Sequence, residues 1–470
     1  MNTSRSLHIR RLDGSGDLTT GSFAADLQAV RDQLSPTGNV VSPRGRELTE
    51  RVFGEPLLPT EVVERICREV RSTGLPALLH YSQQLDGQGE SASGTAASAS
   101  LCLPESQLAA AHQAAEPELL QAIRRIRDNI FAFQTAILHR PVTVEPAPGV
   151  RLDQRYVPLK RIGVCVPGGA AAYPSTVLMT VVPALAAGVE QIAVVAPPTK
   201  FGAYNRDVLA TCYELGVREV YPFGGAQAVA ALAYGVEGLP AVDKIVGPGS
   251  LFVALAKKFV YGDVDIDSIA GPSEVVVIAD ESTDARFTAA DMLAQAEHSP
   301  GASLLITWDV TLADRVQAAL SAQLQGLSRS ALTLDSLNAF GAFIQVRDRA
   351  QAREVTDLIA PEHLHVACRE PREFSEQIRN AGATFIGPYS PVALGDYAAG
   401  PSHVLPTGGT ARWAAGLSAN SFLRSGSVIE YSQAALADIT AEISLLANTE
   451  GLTAHRRSVE IRHEGIPKRV

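Results

Sequence analysis

The sequence predicts an α/β protein built on open, largely parallel sheets. Three short apolar runs in the middle of the chain each end in a glycine-containing turn that opens a helical segment. Between residues 275 and 388, further apolar runs alternate with helical segments. With 470 residues, the chain is too long for one small core, so two or three domains are expected.

The first third of the chain is predicted to be mainly helical. Residues 1–35 are polar with scattered apolar positions, and residues 46–85 have helical periodicity without a catalytic pattern. Residues 87–100 are rich in Gly, Ser and Ala, which predicts a solvated loop. Residues 105–135 return to a helical pattern.

The first predicted sheet begins at residue 161. The strand-like run RIGVCV (161–166) is followed by a PGG turn, a helix over 175–188 and a second buried strand over 191–198. The same pattern recurs at EVYPFGG (219–225) and DKIVGPG (243–249). Ligands on such sheets bind at the carboxyl ends of the strands, where these glycines lie.

Two interpretations of the glycine turns stay open. Glycines before a helix let backbone N–H groups approach a phosphate, which would indicate a nucleotide crevice. Alternatively, each glycine serves only a tight turn that needs positive φ. No turn has the G-x-G-x-x-G pattern, and no acidic residue follows where a ribose would be bound.

The second half predicts another α/β region and a C-terminal arm. Its strand-like runs are VVVIAD (275–280), SLLITWD (303–309), AFIQVRD (342–348), HLHVAC (363–368) and ATFIGP (383–388). Residues 408–470 are predicted to be a mostly helical arm.

Composition limits the classes of function. A net charge of -10 without long basic runs argues against nucleic-acid or anionic membrane partners. The five cysteines contain no Cys-x-x-Cys pair, so a disulfide framework or thiolate zinc cluster is not expected. The chain shows neither a signal peptide nor an apolar run long enough to span a bilayer, and a reducing cytoplasm is the expected location.

Polar side chains suited to metal binding recur in the second half. In MLAQAEHSP (292–300), Gln295 and His298 are three residues apart, so one helix face could present both. Three more histidines lie near acidic residues, in the pairs Glu362/His363, Asp396/His403 and Glu450/His455. Nitrogen and oxygen ligands without thiolates suit zinc, manganese or iron in an open, catalytic type of site. Singly, each histidine is more commonly a surface or packing residue.

Glu362 and His363 differ from the other pairs because an acid and a base are adjacent, directly after Pro361 at a strand start. Histidine can take a proton from an alcohol, and glutamate can activate water. The alternative is an exposed pair in a loop.

Several segments together resemble histidinol dehydrogenases. They are VPGGAAAYPSTVLM, FGGAQAVAALAYG, DKIVGPG, AGPSEVVVIAD, AQAEHSP, PEHL, GDYAAGPSHVLPT and EGLTAHRRSVEIR, in order over about residues 45–462. The resemblance implies a homodimer of subunits with two Rossmann-like domains and small helical arms. The implied divisions are an N-terminal arm (1–40), a metal and catalytic domain (41–159 with 273–407), an NAD-binding domain (160–272) and a dimerisation arm (408–470).

The resemblance also implies the roles of individual residues. One Zn²⁺ per subunit would be bound by Gln295, His298, Asp396 and, from the partner subunit, His455, all of which then also line the substrate site. Glu362 and His363 would be the catalytic pair. The remaining substrate contacts would be Ser273, His363 and Glu450, and the NAD⁺ contacts would involve Cys165, Gln227 and Ser250. His403 is a candidate for orienting a metal ligand. Two positions depart from the family pattern, Cys165 in place of Tyr and Ser250 in place of Asn.

The implied reaction is the oxidation of L-histidinol to L-histidine by two NAD⁺ through a bound aldehyde, the final step of histidine biosynthesis. Three alternatives stay open at this point: another alcohol such as a sulfonated diol, a zinc hydrolase without a dinucleotide, and a metal-binding protein without catalysis. No nucleic-acid or membrane partner is expected.

Overall fold

The computed structural model of the chain describes residues 6–14, 18, 21–34, 43–86, 101–169, 171–298 and 300–463. The loop predicted at 87–100 lies outside these residues. Two compact units are distinguished. The first contains Met1–Ala136 and Lys160–Phe422, and the second contains Ile137–Leu159 and Leu423–Val470.

Within these ranges, fourteen strands are present. In chain order they are β1 (Arg10–Asp13), β2 (Val142–Val144), β3 (Val150–Pro158), β4 (Arg161–Cys165), β5 (Gln191–Val195), β6 (Glu219–Tyr221), β7 (Lys244–Val246), β8 (Asp265–Ile266), β9 (Ser273–Ala279), β10 (Gly301–Thr307), β11 (Gly341–Gln345), β12 (His363–Val366), β13 (Ala383–Ile386) and β14 (Leu423–Tyr431).

The same part of the chain forms eighteen α-helices. They are α1 (Gly21–Leu34), α2 (Pro43–Phe53), α3 (Pro59–Thr73), α4 (Leu75–Leu85), α5 (Glu105–Gln113), α6 (Pro117–Ala136), α7 (Pro174–Ala187), α8 (Arg206–Glu214), α9 (Gly225–Tyr234), α10 (Leu251–Val260), α11 (Ala285–Ala296), α12 (Leu312–Leu324), α13 (Ser330–Phe340), α14 (Arg349–Ile359), α15 (Pro371–Ser375), α16 (Val392–Tyr397), α17 (Gln433–Thr449) and α18 (Thr453–Glu460). None of these described helices combines the length and hydropathy that crossing a bilayer requires.

The first sheet has five parallel strands in the order β6-β5-β4-β7-β8. The chain enters at the central strand β4, proceeds to one edge through β5 and β6, and then returns to the other side through β7 and β8. The direction of winding therefore reverses between β4 and β7, which is where such sheets have a crevice at their carboxyl edge.

The second sheet has six parallel strands in the order β1-β11-β10-β9-β12-β13. Together the two sheets confirm the predicted α/β class with two parallel-sheet regions. The edge strand β1 falls in the segment expected to be a helical N-terminal arm, and it pairs with β11. Its sequence, RRLD, contains only one fully apolar residue, Leu12, so no apolar run marks it as a strand.

A short connection joins the two sheets. Strand β8 ends at Ile266 and β9 begins at Ser273, so the chain leaves the carboxyl edge of one sheet and enters the amino edge of the other. An extended chain of this length spans at most roughly 25 Å. Gly271, within this connection, donates its N–H to Thr407 Oγ1 at 2.6 Å. The carboxyl edge of the first sheet and the amino edge of the second are therefore joined by a short span.

Helices α3 and α4 differ from the predicted grouping. The resemblance assigns residues 41–159 to the domain of the six-stranded sheet. In the structure, the buried faces of these helices join the hydrophobic cluster of the five-stranded sheet, together with α9 and α10. The periodic apolar residues predicted the helices but could not indicate which sheet they cover, because either sheet offers an apolar face.

The second unit contains an antiparallel sheet of order β14-β3-β2, with helices α17 and α18. The prediction of a mostly helical C-terminal arm is therefore incomplete, because the nine-residue strand β14 precedes its helices. Strand β14 pairs along its whole length with β3, which lies more than 260 residues earlier in the chain. Eight of its nine residues are exposed in this structure. The strand therefore lacks the regular apolar pattern by which a buried strand is recognised in a sequence.

Candidate active site

Gln295 and His298 lie at the end of helix α11. The amide of Gln295 is in the last turn and is buried, with 2% of its surface exposed. The helix ends at Ala296, so His298 is in the turn that follows and is exposed, not on a helix face as the sequence predicts. The backbone N–H of His298 still bonds to the carbonyl of Gln295 at 3.2 Å, which keeps the two residues adjacent.

Ser273 connects Gln295 to the predicted catalytic acid. Gln295 Nε2 donates to Ser273 Oγ at 2.7 Å, and Ser273 Oγ donates to Glu362 Oε2 at 2.7 Å. Because the amide nitrogen of Gln295 is engaged, its oxygen is the atom that a cation would contact. Three residues from distant parts of the sequence thus form one hydrogen-bonded chain.

Glu362 and His363 are both buried, with 5% and 2% of their surfaces exposed. Burial raises the pKa of Glu362, which strengthens it as a base. His363 Nδ1 lies 3.1 Å from the backbone oxygen of Glu274, so this nitrogen carries the hydrogen. The same nitrogen is 3.5 Å from Glu362 Oε2. The exposed loop pair considered above is therefore wrong for these two residues.

Asp396 faces the other nitrogen of His363, with Oδ1 at 3.6 Å from Nε2. Burial alone would lower the pKa of His363, but the carboxylates of Glu362 and Asp396 outweigh it and raise the pKa to about 9. Burial opposes ionisation of Asp396, yet its interaction with His363 brings the pKa of the carboxyl below its usual value. The imidazole is thus held between two carboxylates.

His403 supports the segment that carries Asp396. Its Nδ1 is 3.0 Å from the backbone oxygen of Asp396, and burial lowers the pKa of its imidazole. A neutral His403 that donates through Nδ1 would orient the Asp396 backbone. The structure thus brings His403 to the place that its suggested role requires.

These groups lie at the amino edge of the six-stranded sheet. Ser273 is the first residue of β9, His363 is the first residue of β12, and His298 precedes β10. Parallel sheets usually bind ligands at the opposite, carboxyl edge. Here the amino edge is the one that the short connection brings towards the carboxyl edge of the five-stranded sheet.

The predicted NAD⁺ contacts lie at that carboxyl edge. Cys165 ends β4 and is buried, which raises the pKa of its thiol to about 12. Gln227 in α9 is fully buried. Its Nε2 donates to Asp86 Oδ2 at 3.1 Å, while its Oε1 has no hydrogen-bond partner among the described residues. Ser250 is exposed at the N-terminus of α10, where its side chain does not cap the helix. An unpaired amide oxygen beside the glycine turns fits a site for a polar cofactor.

The turn after β7 requires its glycine. Gly247 has φ of +102°, and a Cβ there would lie 2.2 Å from the carbonyl oxygen of Cys165. Its N–H donates to Asp267 Oδ2 at 2.7 Å, and its carbonyl accepts from Lys257 Nζ at 3.0 Å. The close approach of two strand ends therefore explains this glycine, whether or not a phosphate binds there.

Glu450 and His455 belong to the second unit. Glu450 follows helix α17, His455 lies in α18, and both are exposed. Over the described residues, no three His, Cys, Asp or Glu side chains come close enough to hold a metal ion. The candidate donors in the first unit are the amide oxygen of Gln295, the imidazole of His298 and the carboxylate of Asp396, and of these His298 and Asp396 interact electrostatically. This donor chemistry suits zinc, with a further ligand still required.

Comparison with known proteins identifies the family. A sequence profile described as histidinol dehydrogenase matches residues 58–463. The chain belongs to the histidinol dehydrogenase family. A histidinol dehydrogenase of Rhodopirellula baltica is 62% identical over 448 residues, covering 95% of this chain and 96% of the relative. One from Halalkalibacterium halodurans is 45% identical over 403 residues, covering 86% and 93%.

The crystal structure of a histidinol dehydrogenase from Elizabethkingia anophelis has the same fold. It superposes with a TM-score of 0.85 at 28% identity, covering 98% of this chain and 99% of the other. The resemblance found in the sequence motifs is thereby confirmed, and membership of the family makes the chain an oxidoreductase.

Two features of the site were not predicted from the sequence. Glu274, within AGPSE, is a fully buried carboxyl beside Glu362 and His363. His365 and Asp291 form a second buried pair, with Nδ1 2.7 Å from Oδ2, and they lie respectively two residues after His363 in β12 and four residues before Gln295 in α11. The sequence offered two signals for these features. One is an acidic residue at the start of an apolar strand, and the other is a histidine two positions after His363.

Proposed function

We propose that the chain oxidises L-histidinol to L-histidine with two NAD⁺, through an aldehyde that stays bound. The observation that carries the proposal is the buried Glu362–His363 pair, joined through Ser273 to Gln295 and facing Asp396. A base and a water-activating acid beside a set of metal-type donors match the needs of two successive oxidations.

The substrate would be held by donors from two chains. Gln295, His298 and Asp396 would bind Zn²⁺ together with His455 of a second subunit, and Glu450 would approach the substrate from that same subunit. Zinc, when bound, supplies an electrophilic anchor for the nitrogen atoms of an imidazole-bearing amino alcohol. Ser273 holds the Gln295 amide with its oxygen free, and His403 holds the Asp396 backbone. Both contacts would orient ligands before the cation arrives.

In the first oxidation, His363 would act as the base. Because Nδ1 carries its hydrogen towards the Glu274 carbonyl, Nε2 is the atom that would accept the proton of the substrate hydroxyl, and it does so in the neutral form of His363, which a pKa of about 9 makes the minor form near neutral pH. The carbon would give up a hydride to NAD⁺ as the oxygen loses its proton. The product is an aldehyde, with the proton held on His363 and stabilised by the carboxylates on either side.

In the second oxidation, Glu362 would remove a proton from water as the water oxygen attacks the aldehyde carbon, and His363 would return its proton to the aldehyde oxygen to complete the hydrate. The hydrate would then lose one hydroxyl proton to the neutral His363 as its carbon gives up a hydride to a second NAD⁺, and the carboxylic acid formed would release its remaining proton to give the carboxylate product. Gln227, Cys165 and Ser250 would adjoin the cofactor at the facing edge of the other sheet. The short link between the sheets would keep that edge near the reacting carbon.

Stoichiometry tests this proposal directly. The purified protein should form two NADH per histidinol consumed, and removal of metal by a chelator should abolish NADH formation until zinc is restored. Glu362→Gln should spare the oxidation of the alcohol but slow that of the aldehyde, because only the second step needs activated water. Formation of one NADH per histidinol by the parent protein would contradict the proposal.

The shared site has its own test. A mixed dimer of one His455→Ala chain and one Glu362→Gln chain should regain about one working site, although each parent homodimer is impaired. In such a dimer, one site receives both defects and the other receives neither. An inactive mixed dimer would show that each chain forms its site alone.

A further inference from the structure

Glu274 is a buried carboxyl that the reaction above does not use. It is the second residue of β9, and it is followed by the apolar residues Val275 to Ala279. None of its surface is exposed. A buried acid without partners would be strongly destabilising, so its contacts indicate what it does.

Glu274 contacts the catalytic pair at three points. Its backbone N–H donates to Glu362 Oε2 at 2.9 Å, and its backbone oxygen is 3.1 Å from His363 Nδ1. Its side-chain Oε1 accepts the backbone N–H of Glu362 at 3.2 Å. The residue therefore determines both where the Glu362 carboxylate points and which His363 nitrogen carries a hydrogen.

A fourth contact involves a turn from a different part of the chain. The backbone N–H of Gly408 lies 3.2 Å from each oxygen of the Glu274 carboxyl. The preceding residue, Thr407, accepts the N–H of Gly271 in the connection between the two sheets. The carboxyl thus joins the catalytic pair to the segment on which the two sheets meet.

We propose that Glu274 is a positioning residue, whose buried carboxyl fixes the backbone of Glu362 and so sets the geometry of the catalytic pair. The inference rests on the proposed function, because it assigns a kinetic effect to that pair. Burial, reinforced by the nearby Glu362 carboxylate, also raises the pKa of Glu274 to about 8. The residue is then mostly neutral at pH 7, and glutamine is a close mimic in shape and charge.

The test compares Glu274→Gln, which keeps an accepting oxygen, with Glu274→Met, which keeps the volume but accepts no hydrogen bond. We expect Glu274→Met to lower kcat about 100-fold and to leave the KM for histidinol nearly unchanged. Small displacements of reacting groups have effects of that size on kcat. We expect Glu274→Gln to retain a kcat within about fivefold of that of the parent protein. If Met does not yield folded protein, Glu274→Asp withdraws the same oxygens and should also lower kcat.

Asp280 provides the matched control. It directly follows the other end of β9, is buried, and accepts the backbone N–H groups of Ser282 and Arg369 at 3.0 and 2.9 Å. Because it lies about 20 Å along the strand from Glu274, Asp280→Asn should leave kcat unchanged while lowering stability. Two results would overturn the inference. One is an equal loss of kcat in Glu274→Gln and Glu274→Met, and the other is no loss of kcat in Glu274→Met.

A second readout separates this inference from the proposed function. Hydrogen–deuterium exchange at the amides of Glu362 and Gly408 should be accelerated in Glu274→Met and not in Glu274→Gln or Asp280→Asn. This measurement needs no substrate. An inactive parent protein would therefore refute the proposed function alone, whereas unchanged exchange in Glu274→Met would refute the role of Glu274 alone.

Discussion

Replacing Lys257 with methionine tests how the Gly247 turn after β7 is held. Lys257 forms an ion pair with Asp267 in which the side chains are only 2% and 3% exposed. Both residues also contact Gly247, through its carbonyl and its N–H respectively. The methionine would fill most of the same volume but would leave the Asp267 carboxylate buried without a cation.

The contacts of Asp267 set the size of the effect. Removing one partner of a buried ion pair destabilises a protein by about 3–5 kcal/mol. Asp267 keeps two backbone donors, Gly247 at 2.7 Å and Ser268 at 2.6 Å, so we expect the low end, about 3 kcal/mol. The double variant Lys257→Met/Asp267→Asn leaves no buried charge and should recover about 2 kcal/mol of that loss.

Urea unfolding followed by far-UV circular dichroism would measure these differences. The adjacent, exposed Lys258 is the control, and Lys258→Met should change the free energy of unfolding by less than about 0.5 kcal/mol. Two results would refute the reasoning. One is a Lys257→Met variant as stable as the control, and the other is a double variant less stable than Lys257→Met.

Three further predictions concern other parts of the structure. In native protein at pH 8, at most one thiol, that of Cys102, should react with a disulfide reagent, because the other four cysteines are buried. Denatured protein should expose all five thiols. Rapid reaction of two or more thiols in the native protein would contradict this prediction. Glu214 has a pKa lowered to about 2, chiefly by its hydrogen bonds to Arg124, so its contribution is present above about pH 4.5 and is lost as the pH falls towards 2. Glu214→Gln should accordingly cost about 2 kcal/mol at pH 7 in a thermal melt and almost nothing near pH 2; a pH-independent difference would argue against the ion pair. Gly247→Ala should weaken NADH binding at least tenfold in a fluorescence titration, because its Cβ would displace the carbonyl of Cys165; parental affinity would show that the turn does not adjoin the cofactor.

Elements with strong local signals were predicted well. Each of the four strand-like runs of the first sheet and the five of the second contains an observed strand, because a strand buried on both faces needs a continuous apolar run. Strands β1 and β8 and the antiparallel strands β2, β3 and β14 escaped prediction. Strands β1, β2, β8 and β14 lie at sheet edges, and β3 has only one fully buried residue, so none of them needs a continuous apolar run. Strands β1 and β14 also pair with strands that are distant in the chain.

Some residues of the candidate site were predictable from the sequence, but the contacts between them were not. The motifs drew attention to Glu362, His363 and Gln295 because acids, amides and imidazoles interrupt apolar patterns. They gave no sign of the hydrogen-bonded chain through Ser273 or of the three contacts made by Glu274. Such contacts depend on the register of β9 against β12, which is set by the packing of whole helices on the sheet.

The sequence by itself determined the class of fold, the family and the identity of the polar groups, because periodicity and residue type are local properties of the chain. Only the tertiary structure decided that these groups meet at the amino edge of one sheet and face the carboxyl edge of the other. The physical reason is the short connection from Ile266 to Ser273, which leaves one sheet and enters the next without enough length to reach the opposite edge.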